Sequence, residues 1–159
     1  VVLDLGKGSL AVLLAWLLIG SDSLMLAGYS LDRVVVQTGA GLAVVAGHIW
    51  PVYYKFRGGR GVATFFGGLL VISPPGFILG GGFLIIVVAL TRLVSLGSVL
   101  AMVVIAATTG ALYIFRGFPV APFLYAITGG ATIIIVHRDN IRRLWRRTER
   151  RLGEKAEAV

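Results

Sequence analysis

The sequence predicts an all-α protein, a polytopic bundle of transmembrane helices, and three observations carry that prediction. The 159 residues are 57% hydrophobic and only 14% charged. Their mean hydropathy is +0.92. The basic residues gather in short breaks between apolar runs and in a C-terminal tail. A soluble domain of this length shows roughly half its surface to water and has nowhere to hide so much apolar area. A bilayer removes that constraint, and at about 20 residues per crossing, loops included, the chain accommodates about six spans.

Six apolar runs can be marked, at 8–20, 34–54, 61–73, 75–90, 94–115 and 120–137. The first follows Asp4-Leu5-Gly6-Lys7-Gly8, where Asp4 and Lys7 are spaced for an i, i+3 ion pair at a membrane surface. The second carries Gly39, Ala43 and Gly47 at four-residue intervals, a small-residue face on which helix backbones can touch in lipid. Gly80-Gly81-Gly82 and Gly129-Gly130 offer the same in the fourth and sixth. Ser73-Pro74-Pro75-Gly76 separates the third run from the fourth, either as a tight turn between two short helices or as a re-entrant hairpin, because paired prolines do not continue a helix. The fifth opens with Ser95 and Ser98, which either bond back within the helix or face a polar site. Beyond the sixth, 138–159 is a basic tail, and 142–154 suits an amphipathic interfacial helix with Leu144, Trp145 and Leu152 towards lipid.

Charge orients the bundle. The net charge is +8, and such a balance means either nucleic acid or the excess of cations that cytoplasmic loops carry. The distribution favours the second. With the tail inside, Lys7, Lys55, Arg57, Arg60, Arg92 and the eight basic residues of 138–155 share one side, thirteen against Arg33 and Arg116 on the other. We therefore expect a cell inner-membrane protein with its polar clusters at the cytoplasmic face, in contact with membrane lipid and not with nucleic acid. The chain has no cysteine and two histidines, so neither disulfides nor a metal site is expected, and no cofactor. It opens Val1-Val2-Leu3-Asp4, with neither Met nor a basic leader, and reads as the interior of a longer protein cut just before a span.

The most informative stretch runs from Gly47 to Thr64, Gly-His-Ile-Trp-Pro-Val-Tyr-Tyr-Lys-Phe-Arg-Gly-Gly-Arg-Gly-Val-Ala-Thr. Pro51 has no N–H for the carbonyl of Gly47, so the helix loosens beside His48. Gly58, Gly59 and Gly61 allow a nest of backbone N–H groups at a helix N-terminus. With Lys55, Arg57 and Arg60 around it, that nest suits phosphate. The bland alternative is a flexible basic loop. No Gly-Lys-Ser/Thr follows, so this is not a nucleotide-hydrolysing P-loop. A second cluster, His137-Arg138-Asp139-Asn140, lies where the last run meets the tail. His137 and Asn140 share a helix face, and both hydrogen-bond hydroxyl groups.

Together these motifs resemble a known family. Gly-His-x-x-Pro followed by Lys-Phe-Arg-Gly-Gly-Arg-Gly-Val-Ala-Thr looks like the second motif of the bacterial acyl-phosphate-dependent glycerol-3-phosphate acyltransferases. Ser95-Leu96-x-Ser98 and His137-x-x-Asn140-Ile141-x-Arg143-Leu144, ending in Glu149, resemble its third region, and Asp4-Leu5-x-Lys7-Gly8 the start of its second span. The resemblance runs the whole length of the chain, in order. Trp50, Arg60 and Arg147 depart from the usual Phe, Lys and Gly. The family is a seven-span inner-membrane enzyme that acylates the 1-hydroxyl of glycerol 3-phosphate from acyl phosphate, giving lysophosphatidate and phosphate and opening phospholipid synthesis. It uses no metal and lacks the His-x-x-x-x-Asp motif of other glycerophosphate acyltransferases, as here, where Tyr53 and Arg142 stand five residues after the two histidines.

The resemblance implies that residues 1–159 form a single acyltransferase domain without the family's first span and first motif, and that this exact chain is weak or inactive alone. It implies Ser95, His137 and Asn140 as catalytic residues. Lys7, His48, Lys55, Gly58, Gly59, Arg60, Gly61 and Ser98 would bind the two substrates, glycerol 3-phosphate and acyl phosphate, with Glu149 structural. His137 is a candidate general base, although a substrate phosphate is an equal acceptor for the hydroxyl proton. The runner-up is a membrane transporter of an organic phosphate. That needs polar groups near the bilayer midplane, where the apolar runs have almost none. A structural lipid-binding protein would not need the clustered Ser, His and Asn. Acyl-chain preference and oligomeric state are not encoded in any motif of the chain.

Overall fold

This computed structural model describes residues 1–19, 23–26 and 29–154. Six apolar helices follow one another: α1 (Val2–Ile19), α2 (Arg33–Ile49), α3 (Val62–Ile72), α4 (Pro74–Thr91), α5 (Val94–Arg116) and α6 (Ala121–Val136). A short polar helix, α7 (Arg138–Trp145), comes after them. The helical bundle is as expected, with one addition. Strands β1 (Ser23–Leu26) and β2 (Tyr29–Asp32) pair antiparallel between α1 and α2. Helices α1, α4 and α5 are long and apolar enough to cross a membrane, as is the stretch Arg33–Tyr54 that contains α2. The other two are shorter: α3 has 11 residues and α6 has 16, about 16 and 24 Å against a hydrocarbon core of about 30 Å.

The helix ends follow from local chemistry. α2 stops at Ile49, short of the apolar run that reaches 54, because Pro51 cannot continue it and a single 3₁₀ turn, Val52–Tyr54, takes over. α3 and α4 meet at Ser73, whose hydroxyl accepts the N–H of Gly76 while Pro74 and Pro75 occupy the first helical positions of α4. Of the two readings of that junction, a tight turn between two helices is the one observed.

The core lies between α2, α3, α5 and α6 and includes Val45, Phe65, Leu69, Met102, Ile105, Tyr125 and Ile133. The Tyr125 ring stacks on Phe65, and its hydroxyl donates to the Phe65 carbonyl at 2.9 Å, so the one polar atom of that ring is satisfied inside the bundle. Leu17, Val103, Ile114 and Ile135 are exposed on the outside, as lipid-facing positions must be. The closest backbone approach joins α1 to α3. A Cβ on Gly8 would strike the Thr64 carbonyl, and one on Gly67 the Leu5 carbonyl.

Two expectations change here. Gly39, Ala43 and Gly47 are all exposed, and a Cβ added to either glycine would meet nothing. The buried small residue of α2 is Gly41, against Tyr125. Spacing by four identifies a face but not which way it turns. The interfacial helix expected over 142–154 is instead α7, which begins at Arg138 and ends at Trp145. Arg147 then takes a positive φ of 55°, and the chain doubles back until the Leu152 N–H donates to the Arg92 carbonyl at 2.7 Å. Residues 155–159 of the basic tail lie outside the described residues.

Candidate active site

One end of the bundle holds a cavity of about 680 Å³. Its deeper wall is apolar, formed by Leu5, Val62, Phe66, Phe77, Leu84 and Ile85. Its other wall carries Arg60, Ser95, Ser98, His137, Asn140, Glu149 and Arg150. The second and third sequence motifs, 35 or more residues apart, therefore meet in one amphipathic chamber.

Each polar group is placed by a particular piece of backbone. Arg60 precedes Gly61, the residue before α3, whose φ of 78° is left-handed and open to glycine at little cost. The first N–H groups of α3 have no acceptor within the helix, and Val62 and Ala63 there line the chamber, so a helix N-terminus and a guanidinium face the same space. Ser95 and Ser98 occupy the start of α5. The Ser98 hydroxyl bonds back to the Val94 carbonyl at 2.9 Å. The Ser95 hydroxyl is buried and makes no hydrogen bond of good geometry, although it lies close enough to the Glu149 carboxylate to lower its pKa.

His137 joins α6 to α7 and is 2% exposed. Its Nδ1 lies 2.8 Å from the Ile133 carbonyl. A carbonyl only accepts, so the proton sits on Nδ1 and the neutral ring keeps a lone pair on Nε2. Burial holds the imidazole below its usual pKa, and the nearby Arg60 charge pushes the same way, against the Ile133 carbonyl and Glu149.

Asn140 is oriented by Glu149. Its Nδ2 donates to Glu149 Oε1 at 2.5 Å, while Arg143 Nε donates to Glu149 Oε2 at 2.7 Å. Because an ionised carboxylate only accepts, the amide must turn its NH₂ group to Glu149. Asn140 Oδ1 is then left buried and without a partner. Desolvation raises the Glu149 pKa, but donation from Asn140, Ser95 and Arg143 outweighs it, and the carboxyl stays below its usual range.

The chamber gathers Arg60, Ser95, Ser98, His137, Asn140 and Glu149. It does not gather Lys7, His48, Lys55, Gly58, Gly59 or Gly61. The expected nest of free N–H groups at 58–61 is corrected by the geometry. The Gly58 N–H donates to the Ile49 carbonyl at 3.1 Å and the Gly59 N–H to the His48 carbonyl at 3.2 Å. Both amides are spent closing the end of α2, and of the three loop glycines Gly61 alone has a positive φ. Lys55 is exposed in the turn, with a left-handed φ of 52°. Lys7 and His48 form a separate cluster with Asp4, in which the expected Asp4–Lys7 ion pair is present at 2.8 Å. Arg150 is a cavity residue that the sequence did not single out, because nothing in the tail's composition signals that it turns back. Among the described residues no three of His, Cys, Asp and Glu cluster as metal ligands do.

A chamber with one polar, cationic wall and one apolar wall, set in a bundle of membrane-spanning length, is the candidate site of an integral membrane enzyme. The model of the glycerol-3-phosphate acyltransferase family matches residues 1–147. A relative called glycerol-3-phosphate acyltransferase 3, from Dehalococcoides mccartyi strain CBDB1, is 48% identical over 154 residues, which is 97% of this chain and 71% of that protein. A glycerol-3-phosphate acyltransferase from Halalkalibacterium halodurans is 42% identical over 76% of this chain and 58% of its own length. Two crystal structures of PlsY (YgiH), an integral membrane glycerol 3-phosphate acyltransferase, superpose with TM-scores of 0.78 for the glycerol 3-phosphate form and 0.76 for the lysophosphatidic acid form. Each is 36% identical and covers 95% of this chain, and the chain spans 68% and 69% of theirs. The chain belongs to the glycerol-3-phosphate acyltransferase family, as a multi-pass membrane enzyme that transfers an acyl group to glycerol 3-phosphate.

Proposed function

We propose that the acyl donor is an acyl phosphate, that the acceptor atom is the 1-hydroxyl of glycerol 3-phosphate, and that both meet in the chamber bounded by Arg60, Ser95, His137 and Asn140. The observation that carries this reading is the buried, unpaired Asn140 Oδ1 on the chamber wall, beside the Ser95 hydroxyl. An unpaired buried polar atom costs about 1–3 kcal/mol. A glycerol hydroxyl would satisfy it, and the lone pair of His137 Nε2 is a second acceptor. Arg60 and the N-terminus of α3 suit a phosphate, and the apolar wall suits an acyl chain.

The chemistry is undemanding, because an acyl phosphate is a mixed anhydride with a good leaving group. The 1-hydroxyl oxygen attacks the acyl carbonyl carbon, the carbon–oxygen bond to phosphorus breaks, and inorganic phosphate leaves. The hydroxyl proton goes to His137 Nε2 or to a substrate phosphate. The enzyme's main work is to hold two anions together at reacting distance, which position and fixed positive charge can do. Lys7, His48, Lys55, Gly58, Gly59 and Gly61 serve in this reading by placing the loop that carries Arg60. By sequence, thirteen of the 15 basic residues belong to the breaks and tail assigned to one side of the membrane, and Arg60 and Arg150 of that set line the chamber, which supports a cytoplasmic active site in the cell inner membrane.

The test is conversion of acyl phosphate and glycerol 3-phosphate to lysophosphatidate by intact, detergent-solubilised protein, undiminished by EDTA and poor with acyl-CoA. Failure to form lysophosphatidate with any acyl phosphate would sink the donor assignment.

A further inference from the structure

We propose that Asp4, Lys7 and His48 form a positioning relay that sets Arg60 in the chamber, and that none of the three touches substrate. The inference rests on the assignment of Arg60 to substrate phosphate made above.

Four observations carry it. Leu5 lines the chamber whereas Asp4 and Lys7 do not, because on α1 they lie on a different face from it. Lys7 Nζ donates to Asp4 Oδ1 at 2.8 Å and contacts His48 Nδ1 at 2.5 Å. An ammonium only donates, so Nδ1 is the acceptor, and the imidazole proton is set on Nε2. That nitrogen faces the next element: a Cβ added to Gly59 would run into His48 Nε2. The backbone carbonyl of His48 also accepts the Gly59 N–H at 3.2 Å. His48 therefore holds Gly59 from two sides, and Gly59 is bonded to Arg60.

The anchor itself is rigid. α1 is locked onto α3 by backbone contact at Gly8 and Gly67, and Ser9 Oγ donates to the Gly67 carbonyl at 2.8 Å. The loop before α3 is thus tied at one end to the start of α3 and at its middle, through His48 and Lys7, to α1. A long guanidinium side chain on such a loop reaches one place in the chamber instead of sampling several, which is what an anion site for a transferring substrate requires. Asp4 already holds the Lys7 ammonium at 2.8 Å, and a substrate phosphate would have to compete with that carboxylate for it.

A double-mutant cycle in intact, detergent-solubilised protein tests this, read as kcat and KM for glycerol 3-phosphate. We expect Lys7→Met and Asp4→Asn each to lower kcat/KM about tenfold, Lys7→Arg to keep it within about threefold, and either loss to shrink below about twofold in an Arg60→Gln background, because coupled residues do not add. A purely structural role for Lys7 would produce the same loss in both backgrounds, and that additivity overturns the relay. So does an Asp4→Asn enzyme with unchanged or improved kcat/KM beside an impaired Lys7→Met, which is the pattern of direct phosphate contact. If Lys7→Met fails to insert, Asp4→Asn closes the same cycle. Arg60→Gln alone separates the two proposals: if it leaves KM unchanged, the phosphate assignment falls and takes the relay with it, whereas an impaired Arg60→Gln with additive cycles sinks the relay alone.

Discussion

Glu149→Gln isolates what the carboxylate does for the site, because it changes one oxygen to NH₂ and leaves the volume alone. In the native protein both Glu149 oxygens accept, Oε1 from Asn140 and Oε2 from Arg143. A glutamine offers one acceptor. Arg143 has only donors, so the glutamine carbonyl must turn to it, and the new NH₂ faces Asn140. Two NH₂ groups cannot bond each other, and Asn140 answers by turning its Oδ1 to the glutamine. The amide thereby presents NH₂ to the chamber where it had presented an acceptor. A substrate hydroxyl poised to donate then meets a donor. The lost hydrogen bond and the mismatch together amount to about 1.5–3 kcal/mol, or roughly 10- to 100-fold in kcat. Stability should fall by much less than for Glu149→Ala, since Asn140 and Arg143 each keep a bond to residue 149 and only one end of the Asn140 amide is left facing the chamber, as in the native protein. The assay is kcat for lysophosphatidate formation beside thermal unfolding in detergent. Unchanged turnover would refute the orientation argument, and losses of Tm and kcat as large as those of Glu149→Ala would reduce Glu149 to a structural residue.

Four further outcomes follow from the same geometry. Ser95→Ala should lower kcat/KM about five- to tenfold with Tm little changed, because the buried hydroxyl it removes makes no hydrogen bond of good geometry; a large fall in Tm would contradict that. His137→Gln keeps an acceptor that takes no proton, so retained kcat assigns the hydroxyl proton to substrate phosphate, and a loss of about 100-fold or more assigns it to His137. The Glu149 pKa is held below its ordinary 4.5, so its contribution to stability is present above that value and lost as pH falls through the lower folded value. The Tm difference between wild type and Glu149→Gln should therefore be flat at neutral pH and shrink only under acid conditions, and shrinkage near pH 6–7 would mean that desolvation wins. Tyr53, 97% exposed in a protein without cysteine, is a clean labelling site. Tyr53→Cys should resist an impermeant thiol reagent in intact cells and react after permeabilisation, and labelling from outside would reverse the topology.

The sequence makes the helices legible because lipid demands long apolar runs, and six runs became six helices. It shows their ends less well. The run at 8–20 became Val2–Ile19, since an Asp4–Lys7 pair lets a helix continue through charges that look like a boundary. The residue types of the candidate site were also legible, because His and Asn are scarce in the chain and its arginines gather in a few short stretches. Their partners were not. Nothing local tells that Gly58 and Gly59 spend their amides on Ile49 and His48, which are nine and eleven residues back on another element. Nor does composition show that the tail reverses at Arg147 and brings Glu149 under Asn140. These are tertiary facts, set by which backbone groups a broken helix leaves unpaired.

The short α3 explains why the site works where it does. α3 and α4 meet at Ser73, and Phe66 packs edge-on against Phe77 across that junction, so the two helices form the arms of a hairpin. One arm has 11 residues and the other 18. Seven residues of helix amount to about 10 Å, and the N-terminus of α3 is recessed from the far end of α4 by a distance of that order. α4 accordingly lines the chamber at Phe77, Gly81, Leu84 and Ile85 and not in its last turn. Arg60 is itself exposed, yet it lines the chamber beside Val62 and Ala63 of the first turn of α3, so its charge and the helix N-terminus act at the same mouth of the cavity. Extending α3 at its N-terminus by two alanines placed after Gly61 tests the argument. It should lift Arg60 by about 3 Å and rotate it by about 200°, abolishing turnover while the apolar core around Phe65 and Tyr125 holds the fold. Retained activity would mean that the placement of Arg60 at the chamber is irrelevant to catalysis.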